Sequence, residues 1–330
     1  MQNEKITAEL QNLLKNLFKE GDLIISYKES GIPGQMTPFF IRSKDKIDLI
    51  KINQFCVNNL SVYLSELTLI ELFGNKPNAK LIITVKPCDV NSVLQMISDA
   101  QIPVEKVTLI VFECNGIIAI KDIKESIQDD FITIECKEDS LQLKTMQNKD
   151  LTLNSGEFLL NKCKEGSQCH IPSYHGYYFV GKEKKKPVKV SKTKKDETLV
   201  QDSLTRSELK KLVDAELSRC IRCNECRNIC PACFCSDQCV MDKPKLVAPF
   251  IEKGTKLSNN ILYHLIRFYH VAPNCTACSE CERVCPQNIK LSIFYKYLHR
   301  FTEQELGYIP GKTDQERQKL LNYRFGEDLV

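Results

Sequence analysis

The sequence predicts an α/β N-terminal domain followed by a mostly α-helical C-terminal domain. Two apolar runs, LIITV at 81–85 and VTLIVF at 107–112, are separated by a helical pattern, which is typical of βαβ units in a mainly parallel sheet. The last third of the chain shows helical periodicity and holds two dense groups of cysteines. A Lys-rich stretch at 182–195, with eight Lys and one Glu, separates the two regions.

Composition is that of an ordinary globular protein. The 330 residues suffice for two domains, and 42% are hydrophobic and 27% charged. The formal net charge of +4 is local, because the Lys-rich stretch is more positive than the whole chain and the remainder is therefore negative. This distribution argues against a nucleic-acid-binding face, so we expect no nucleic-acid partner.

Element by element, the N-terminal region is predicted to alternate helices and strands. Residues 3–20 form an amphipathic helix with an apolar stripe that we expect in the core. Strands are predicted at 23–27 and 39–43, with a Gly- and Pro-containing loop at 31–38 between them, and residues 57–73 favour helix. Another helix follows the strand at 81–85 and runs to about Ser98.

The remaining elements set the domain boundaries. Residues 121–160 show little pattern, and the Lys-rich stretch is interpreted as a solvated linker. Helix signals return after Thr198. We therefore expect an α/β domain over 1–181, a linker over 182–197 and a helical domain over 198–330.

Location is predicted from two observations. No segment has eighteen consecutive apolar residues, so no transmembrane segment is expected. The N-terminus lacks a basic region followed by an apolar stretch, so we expect no secretory signal and a cytoplasmic protein.

The two cysteine runs carry the chemistry of the C-terminal domain. Both follow the spacing C-x2-C-x2-C-x3-C-P, the pattern of bacterial two-cluster ferredoxins. In that pattern three close thiolates bind one 4Fe–4S cluster and the fourth binds the other. Cluster 1 is thus predicted to take Cys220, Cys223, Cys226 and Cys285, and cluster 2 to take Cys230, Cys275, Cys278 and Cys281.

Zinc is the alternative for four-cysteine runs, since it also binds tetrahedral thiolate sets. The repeated third spacing and the terminal prolines, Pro231 and Pro286, favour iron–sulfur clusters instead. The 44 residues between Cys230 and Cys275 include a helical pattern at 261–270. This gap resembles the helical dicluster ferredoxin domains of succinate dehydrogenase iron–sulfur subunits and heterodisulfide reductase subunits.

Nine further cysteines remain, and two groups of them are candidate sites. Cys88 and Cys114 follow two predicted strands and so lie at one sheet edge, where Cys163 and Cys169 could join them around a third cluster. Cys233, Cys235 and Cys239 directly follow the first run and could form part of an additional metal site. The sequence does not decide whether these groups bind an iron–sulfur cluster, bind zinc or remain free thiols.

Nearly the whole chain resembles the iron–sulfur subunit family named after the beta subunits of deazaflavin-reducing hydrogenase and formate dehydrogenase. The resemblance is strongest over 217–292, around the cysteine runs, and ordered landmarks continue upstream: TPFFIR, CVNNL, KPCD, CNG and CHIPSY. One departure concerns the family's C-x2-C element before the linker, because Cys163 and Cys169 are six residues apart here.

The resemblance implies an electron-transfer subunit of a redox complex. Its partners would be formate dehydrogenase, hydrogenase or heterodisulfide-reductase-like subunits and a second electron carrier. Relatives bind FAD in the N-terminal domain, so the resemblance also implies a flavin, although the chain has no G-x-G-x-x-G fingerprint. The alternative is a flavin-dependent oxidoreductase in its own right, acting on deazaflavin, NAD(P)H or ferredoxin.

Overall fold

The chain forms two compact units in a computed structural model. One unit contains the described residues of 1–90 and 101–190, and the other those of 91–100 and 191–330. The structure describes residues 2–64, 79–137, 139–165, 169, 171, 176–182, 205–235, 239, 254–291, 293–295, 303–304 and 308–311. Most of the predicted linker, 183–197, lies outside the described residues.

A five-stranded, mainly parallel sheet organises the first unit. Its strand order is β2-β1-β3-β4-β8. The three pairs from β1 to β8 are parallel, and only β2 runs antiparallel to its neighbour β1. The strands are β1 (Leu23–Glu29), β2 (Met36–Ile41), β3 (Leu81–Val85), β4 (Val107–Phe112) and β8 (Tyr177–Val180). The α/β prediction for this part of the chain is confirmed.

The register of β3 and β4 places their carboxyl ends side by side. Leu81 pairs with Val107, and Val85 pairs with Val111. All five residues of β3 are buried, as expected for a central parallel strand covered on both faces. Cys88 and Cys114, which follow these two strands, therefore start from the same edge of the sheet.

Helix α1 (Gln2–Leu17) packs its apolar stripe into the core, as predicted. Ile6, Leu10 and Leu14 are buried on that stripe. The second predicted strand begins earlier than expected, at Met36. Of the predicted helix over 57–73, the structure has a short 3₁₀ turn at Leu60–Leu64, and residues 65–78 lie outside the described part.

Residues 120–154 have more structure than their sequence pattern indicates. Helix α3 (Ile120–Ile127) leads into a three-stranded antiparallel sheet of β5 (Phe131–Lys137), β6 (Ser140–Thr145) and β7 (Asp150–Asn154). The short helix α4 (Asn161–Glu165) follows this sheet in the chain. Only one face of this sheet is buried: Leu141 and Leu143 lie in the core while Gln142 between them is exposed. Strands β6 and β7 were not predicted, because polar residues fill their outward face.

The second unit is helical where the structure describes it. Helix α2 (Val90–Ser98) contributes Asn91 onward to this unit, although it lies among the strands of the first unit in the sequence. The other helices are α5 (Arg206–Leu217), α6 (Glu225–Asn228), α7 (Leu257–Val271) and α8 (Glu280–Arg283). The predicted helix at 261–270 is confirmed within α7.

The core of this unit gathers around the cysteine runs. Leu217, Val271, Ile289 and Leu291 are buried together, with Cys226 in the same apolar cluster. The chain thus brings residues from both ends of the second unit against the first cysteine run. None of the helices that the structure describes combines the length and the apolar character needed to cross a lipid bilayer.

Candidate metal centres

The loop of the first cysteine run has an unusual backbone. Helix α5 starts at a capping box, in which Thr205 and Glu208 satisfy each other's backbone N–H groups, and it ends three residues before Cys220. Within the run, Arg222 and Asn224 have positive φ angles of 57° and 64°. Non-glycine residues pay a steric cost in this region, so the surrounding fold must hold the loop in place.

The second run repeats the same backbone. Ala277 and Ser279 occupy the corresponding positions, with φ angles of 54° and 59°, and a short helix follows in each run. The N–H of Arg222 hydrogen-bonds to the Cys220 thiol, and the N–H of Ala277 does the same for Cys275. Loops of this kind turn successive N–H groups inward and favour anions, including iron–sulfur groups.

The four thiols assigned to cluster 1 line a single pocket. Cys220, Cys223, Cys226 and Cys285 surround it, together with Tyr263 and His264. Three of the cysteines come from the first run, whereas Cys285 is the last cysteine of the second. The tertiary structure therefore groups the thiols in the crossed manner that the motif predicts.

Three of the four thiols assigned to cluster 2 line a second pocket. Cys230, the last cysteine of the first run, faces Cys275 and Cys278 there. The Cys281 thiol lies within electrostatic range of all three. Helix α2 covers this pocket, because the Ser92 hydroxyl lies 3.0 Å from that of Thr276 and Gln95 Nε2 donates to Asn274 Oδ1 at 3.3 Å.

The two pockets have the donor chemistry that 4Fe–4S clusters require. Each collects thiols from four separate positions, which suits a cubane whose four irons each take one ligand. Among the described residues, no group of three or more His, Cys, Asp or Glu side chains is placed so that it could hold a single metal ion. Burial raises the pKa of Cys226, Cys275 and Cys281, so the metal-free thiols are protonated at neutral pH and must release protons when they bind iron.

One face of helix α7 holds the first cysteine loop. Asn260, Tyr263, His264 and Arg267 are buried on that face at the i, i+3, i+4, i+7 spacing. The Tyr263 hydroxyl donates to Asn224 Oδ1 at 2.9 Å, and His264 Nε2 lies 3.3 Å from Cys220 Sγ. Burial and the neighbouring charges of Arg267 and Arg222 lower the pKa of His264 to about 3, so its imidazole is neutral. The helical spacing of these residues was the only signal in the sequence.

Asn260 connects α7 to the end of α5 and the start of this loop. Its Nδ2 atom contacts the carbonyl oxygens of Leu217, Cys220 and Thr255 at 3.0, 2.9 and 3.2 Å, and the side chain is fully buried. Contacts between a buried donor and main-chain oxygens cannot be replaced by water without rearrangement.

We expect Asn260→Ala to destabilise the cluster 1 loop by about 1–3 kcal/mol, because it removes the buried amide that donates to the Leu217 and Cys220 carbonyls. The measurement is the rate at which a chelator removes iron from the purified protein, which should rise in the variant. Ser258→Ala, at an exposed position of the same helix, is the matched control. Equal iron-loss rates in the two variants would contradict this role of Asn260.

The candidate third site lies at the carboxyl edge of the main sheet. Cys114 is within electrostatic range of Cys163 and Cys169, and Cys88 is within range of Cys114. The N–H of Ile117 donates to Cys163 Sγ at 3.4 Å. Burial raises the pKa of Cys114 to about 12. The structure thus brings the four predicted thiols into one neighbourhood, as the parallel register indicates.

A buried ion pair lies beside this neighbourhood. Lys86 Nζ is 2.7 Å from Asp89 Oδ2, and neither side chain is exposed to solvent. The Lys86 Nζ atom also donates to the Asn58 carbonyl at 2.6 Å and to the Tyr27 hydroxyl at 3.0 Å. The positive charge of Lys86 lies within range of Cys88, Cys114 and Cys163. Sequence reasoning missed this lysine.

The group formed by Cys233, Cys235 and Cys239 is only partly described. Cys233 is hydrogen-bonded to Cys230, which lowers the pKa of Cys233, whereas Cys235 is exposed and Cys239 is buried. Residues 236–238 lie outside the described part. Cys233 therefore belongs to the surroundings of the cluster 2 pocket, and an additional metal site formed by the three cysteines stays a prediction.

Comparison with known proteins adds an independent observation. Residues 216–289 match the family described as the 4Fe-4S dicluster domain. A 94-residue segment is 36% identical to the F420-dependent formate dehydrogenase subunit beta of Methanocaldococcus jannaschii, covering 28% of this chain and 24% of that protein. The match thus spans about a quarter of that relative's length.

A second relative aligns over a longer stretch. The F420-dependent formate dehydrogenase 1 subunit beta of Methanococcus maripaludis is 22% identical over 298 residues, covering 72% of this chain and 74% of that protein. Among solved structures, a chain of the xenon-derivatised F420-reducing [NiFe] hydrogenase complex from Methanosarcina barkeri has a TM-score of 0.37 and 14% identity, over 66% of this chain and 90% of that one.

Proposed function

We propose that this chain, which belongs to the iron–sulfur subunit family that includes the beta subunits of F420-dependent formate dehydrogenases, is the electron-relay subunit of a cytoplasmic multi-subunit oxidoreductase. It would pass electrons between a formate dehydrogenase, hydrogenase or heterodisulfide-reductase-like partner and a second carrier. The predicted domain boundaries, 1–181 and 198–330 with a linker over 182–197, are part of this proposal.

The observation that carries the proposal is the pair of interleaved thiol pockets. When bound, 4Fe–4S clusters accept and donate single electrons, and this is their usual function in paired-cluster proteins. Because each cysteine run supplies a thiol to both pockets, the two clusters would share one small helical unit. Two redox groups in a common scaffold support a relay rather than an isolated storage site.

The two pockets differ in solvent exposure, which supports a proposal for the cluster that an electron-transfer partner approaches. Cys223 in the cluster 1 pocket is exposed, and 52% of the adjacent Ile221 is accessible to solvent. The cluster 2 cysteines are each only partly exposed, and α2 covers their pocket. Cluster 1 is thus the group that a partner would reach first.

The first unit supports a second candidate function. Cys88, Cys114, Cys163 and Cys169, beside the buried charges of Lys86 and Lys162, fit a third 4Fe–4S cluster at the sheet edge. With a redox group at this site, the first unit would itself take part in the redox reaction. With the FAD implied by the family resemblance, the chain would be a flavin-dependent oxidoreductase acting on deazaflavin, NAD(P)H or ferredoxin.

Metal and flavin analysis of the anaerobically purified chain tests these proposals. We expect about eight iron and eight sulfide per chain from two cubanes, and about twelve of each if the third site is filled. Reduction with dithionite should give EPR signals of interacting clusters. A chain without iron and sulfide would remove the relay proposal, whereas about eight iron without flavin would remove the second candidate.

A further inference from the structure

Arg267 is a buried cation in the centre of the cluster-binding unit. It projects from α7, and only 2% of the residue is exposed. Among the residues that the structure describes, no carboxylate forms an ion pair with it, and its Nε–H has no hydrogen-bond partner. A buried charge without a counter-charge costs several kcal/mol, so this position requires an anion nearby.

The contacts of Arg267 place it between the two cysteine runs. Nη2 donates to the Cys226 carbonyl at 2.5 Å, and Nη1 donates to the hydroxyl of Tyr295, whose ring lies 5.3 Å from the guanidinium carbon. The guanidinium is therefore fixed rather than free to turn toward solvent.

Its charge reaches thiols of both pockets. The charge of Arg267 acts on Cys226 of the cluster 1 set and on Cys230, Cys275 and Cys281 of the cluster 2 set. An arginine guanidinium keeps its proton in folded proteins, so the Arg267 side chain is charged. When the clusters are bound, the cysteines are thiolates, and they would supply the anions that compensate this cation.

From this placement, and resting on the proposed relay function, we infer that Arg267 is a positioning residue for electron transfer that raises the midpoint potentials of both clusters. A cluster bound by four thiolates is an anion, and reduction adds one electron to it. A fixed cation in a low-dielectric interior stabilises the reduced state more than the oxidised state. One guanidinium would therefore make both clusters easier to reduce.

The test compares Arg267→Gln and Arg267→Lys by EPR-monitored redox titration of the full chain. Gln removes the charge and keeps hydrogen-bonding capacity, whereas Lys keeps the charge. We expect Arg267→Gln to lower the reduction equilibrium constant of each cluster about tenfold, a shift of about 59 mV for a one-electron couple. Arg267→Lys should restore most of the loss.

Arg227→Gln is the matched control for charge. Arg227 follows Cys226 directly, but it is half-exposed and its Nη2 contacts the Cys235 carbonyl at 3.4 Å. Removing the charge of Arg227 should shift the midpoint potentials of the clusters much less, because solvent screens this charge. Equal shifts for Arg227→Gln and Arg267→Gln would overturn the inference, as would loss of iron to the same extent in both Arg267 variants, which would make the residue structural. A wild-type chain without iron would instead overturn the proposed function.

Discussion

Cys285→Ala and Cys223→Ala should remove the same cluster, although the two cysteines are 62 residues apart. Both thiols line the cluster 1 pocket, so losing either one leaves it with three ligands. We expect each single variant to retain about half of the iron and sulfide that the two dicluster pockets hold. The double variant should lose no more than the single variants.

If the last cysteine of each run binds the cluster of the other run, combining Cys285→Ala with Cys278→Ala should remove both clusters. Cys278 lines the cluster 2 pocket, so this double variant should lose both clusters and the remaining EPR signal. Replacing ligands of two different clusters should cause additive losses of iron, whereas replacing two ligands of the same cluster should not. The two double variants test this difference. An uncrossed arrangement, with each run enclosing its own cluster, predicts the reverse pattern.

The control for these cysteine replacements is Cys136→Ala. Cys136 lies in β5 of the first unit, where its thiol contacts Gln54 Oε1, and no candidate site includes it. Iron, sulfide and EPR signals should match those of the wild type. Loss of iron from this variant would show that cysteine removal itself damages the protein, and the cluster assignments could not be drawn from the other variants.

Asp89→Ala should destabilise the first unit by about 3 kcal/mol or more, because it leaves the fully buried Lys86 without its counter-charge. Lys86 would keep its contacts with Asn58 and Tyr27, which are neutral and cannot replace a carboxylate. Native-state hydrogen exchange of the β3 amides is the suitable measurement, since it reports the stability of one unit in a two-unit chain. Exchange should accelerate by roughly a hundredfold or more.

Two further variants separate charge burial from other effects. Asp48→Ala breaks the exposed pair of Lys15 and Asp48, whose atoms are 2.6 Å apart, and should cost less than about 1 kcal/mol. The double variant Lys86→Met with Asp89→Leu removes both charges and should recover most of the stability, since apolar pairs of similar volume replace buried ion pairs well. Equal costs for Asp89→Ala and Asp48→Ala would show that the buried pair contributes little.

Sequence reasoning predicted the central elements closely. The strands at 81–85 and 107–112 and the helix to Ser98 agree with the observed bounds, because long apolar runs and helical periods are strong local signals. Strands β6 and β7 of the antiparallel sheet were missed. They are short and their outward faces are polar, so their local signal is weak.

The cysteine spacing alone predicted the type of metal centre and the grouping of eight thiols, because the repeated run with its terminal proline is the pattern of two-cluster ferredoxins. Only the tertiary structure decided which side chains surround these thiols. Arg267 and His264 reach the first run from a helix some 40 residues away. Lys86 and Asp89 are close in the sequence, but Lys86 is also held by Tyr27 and Asn58 from distant segments. The burial of these side chains depends on packing between distant segments, which no local spacing records.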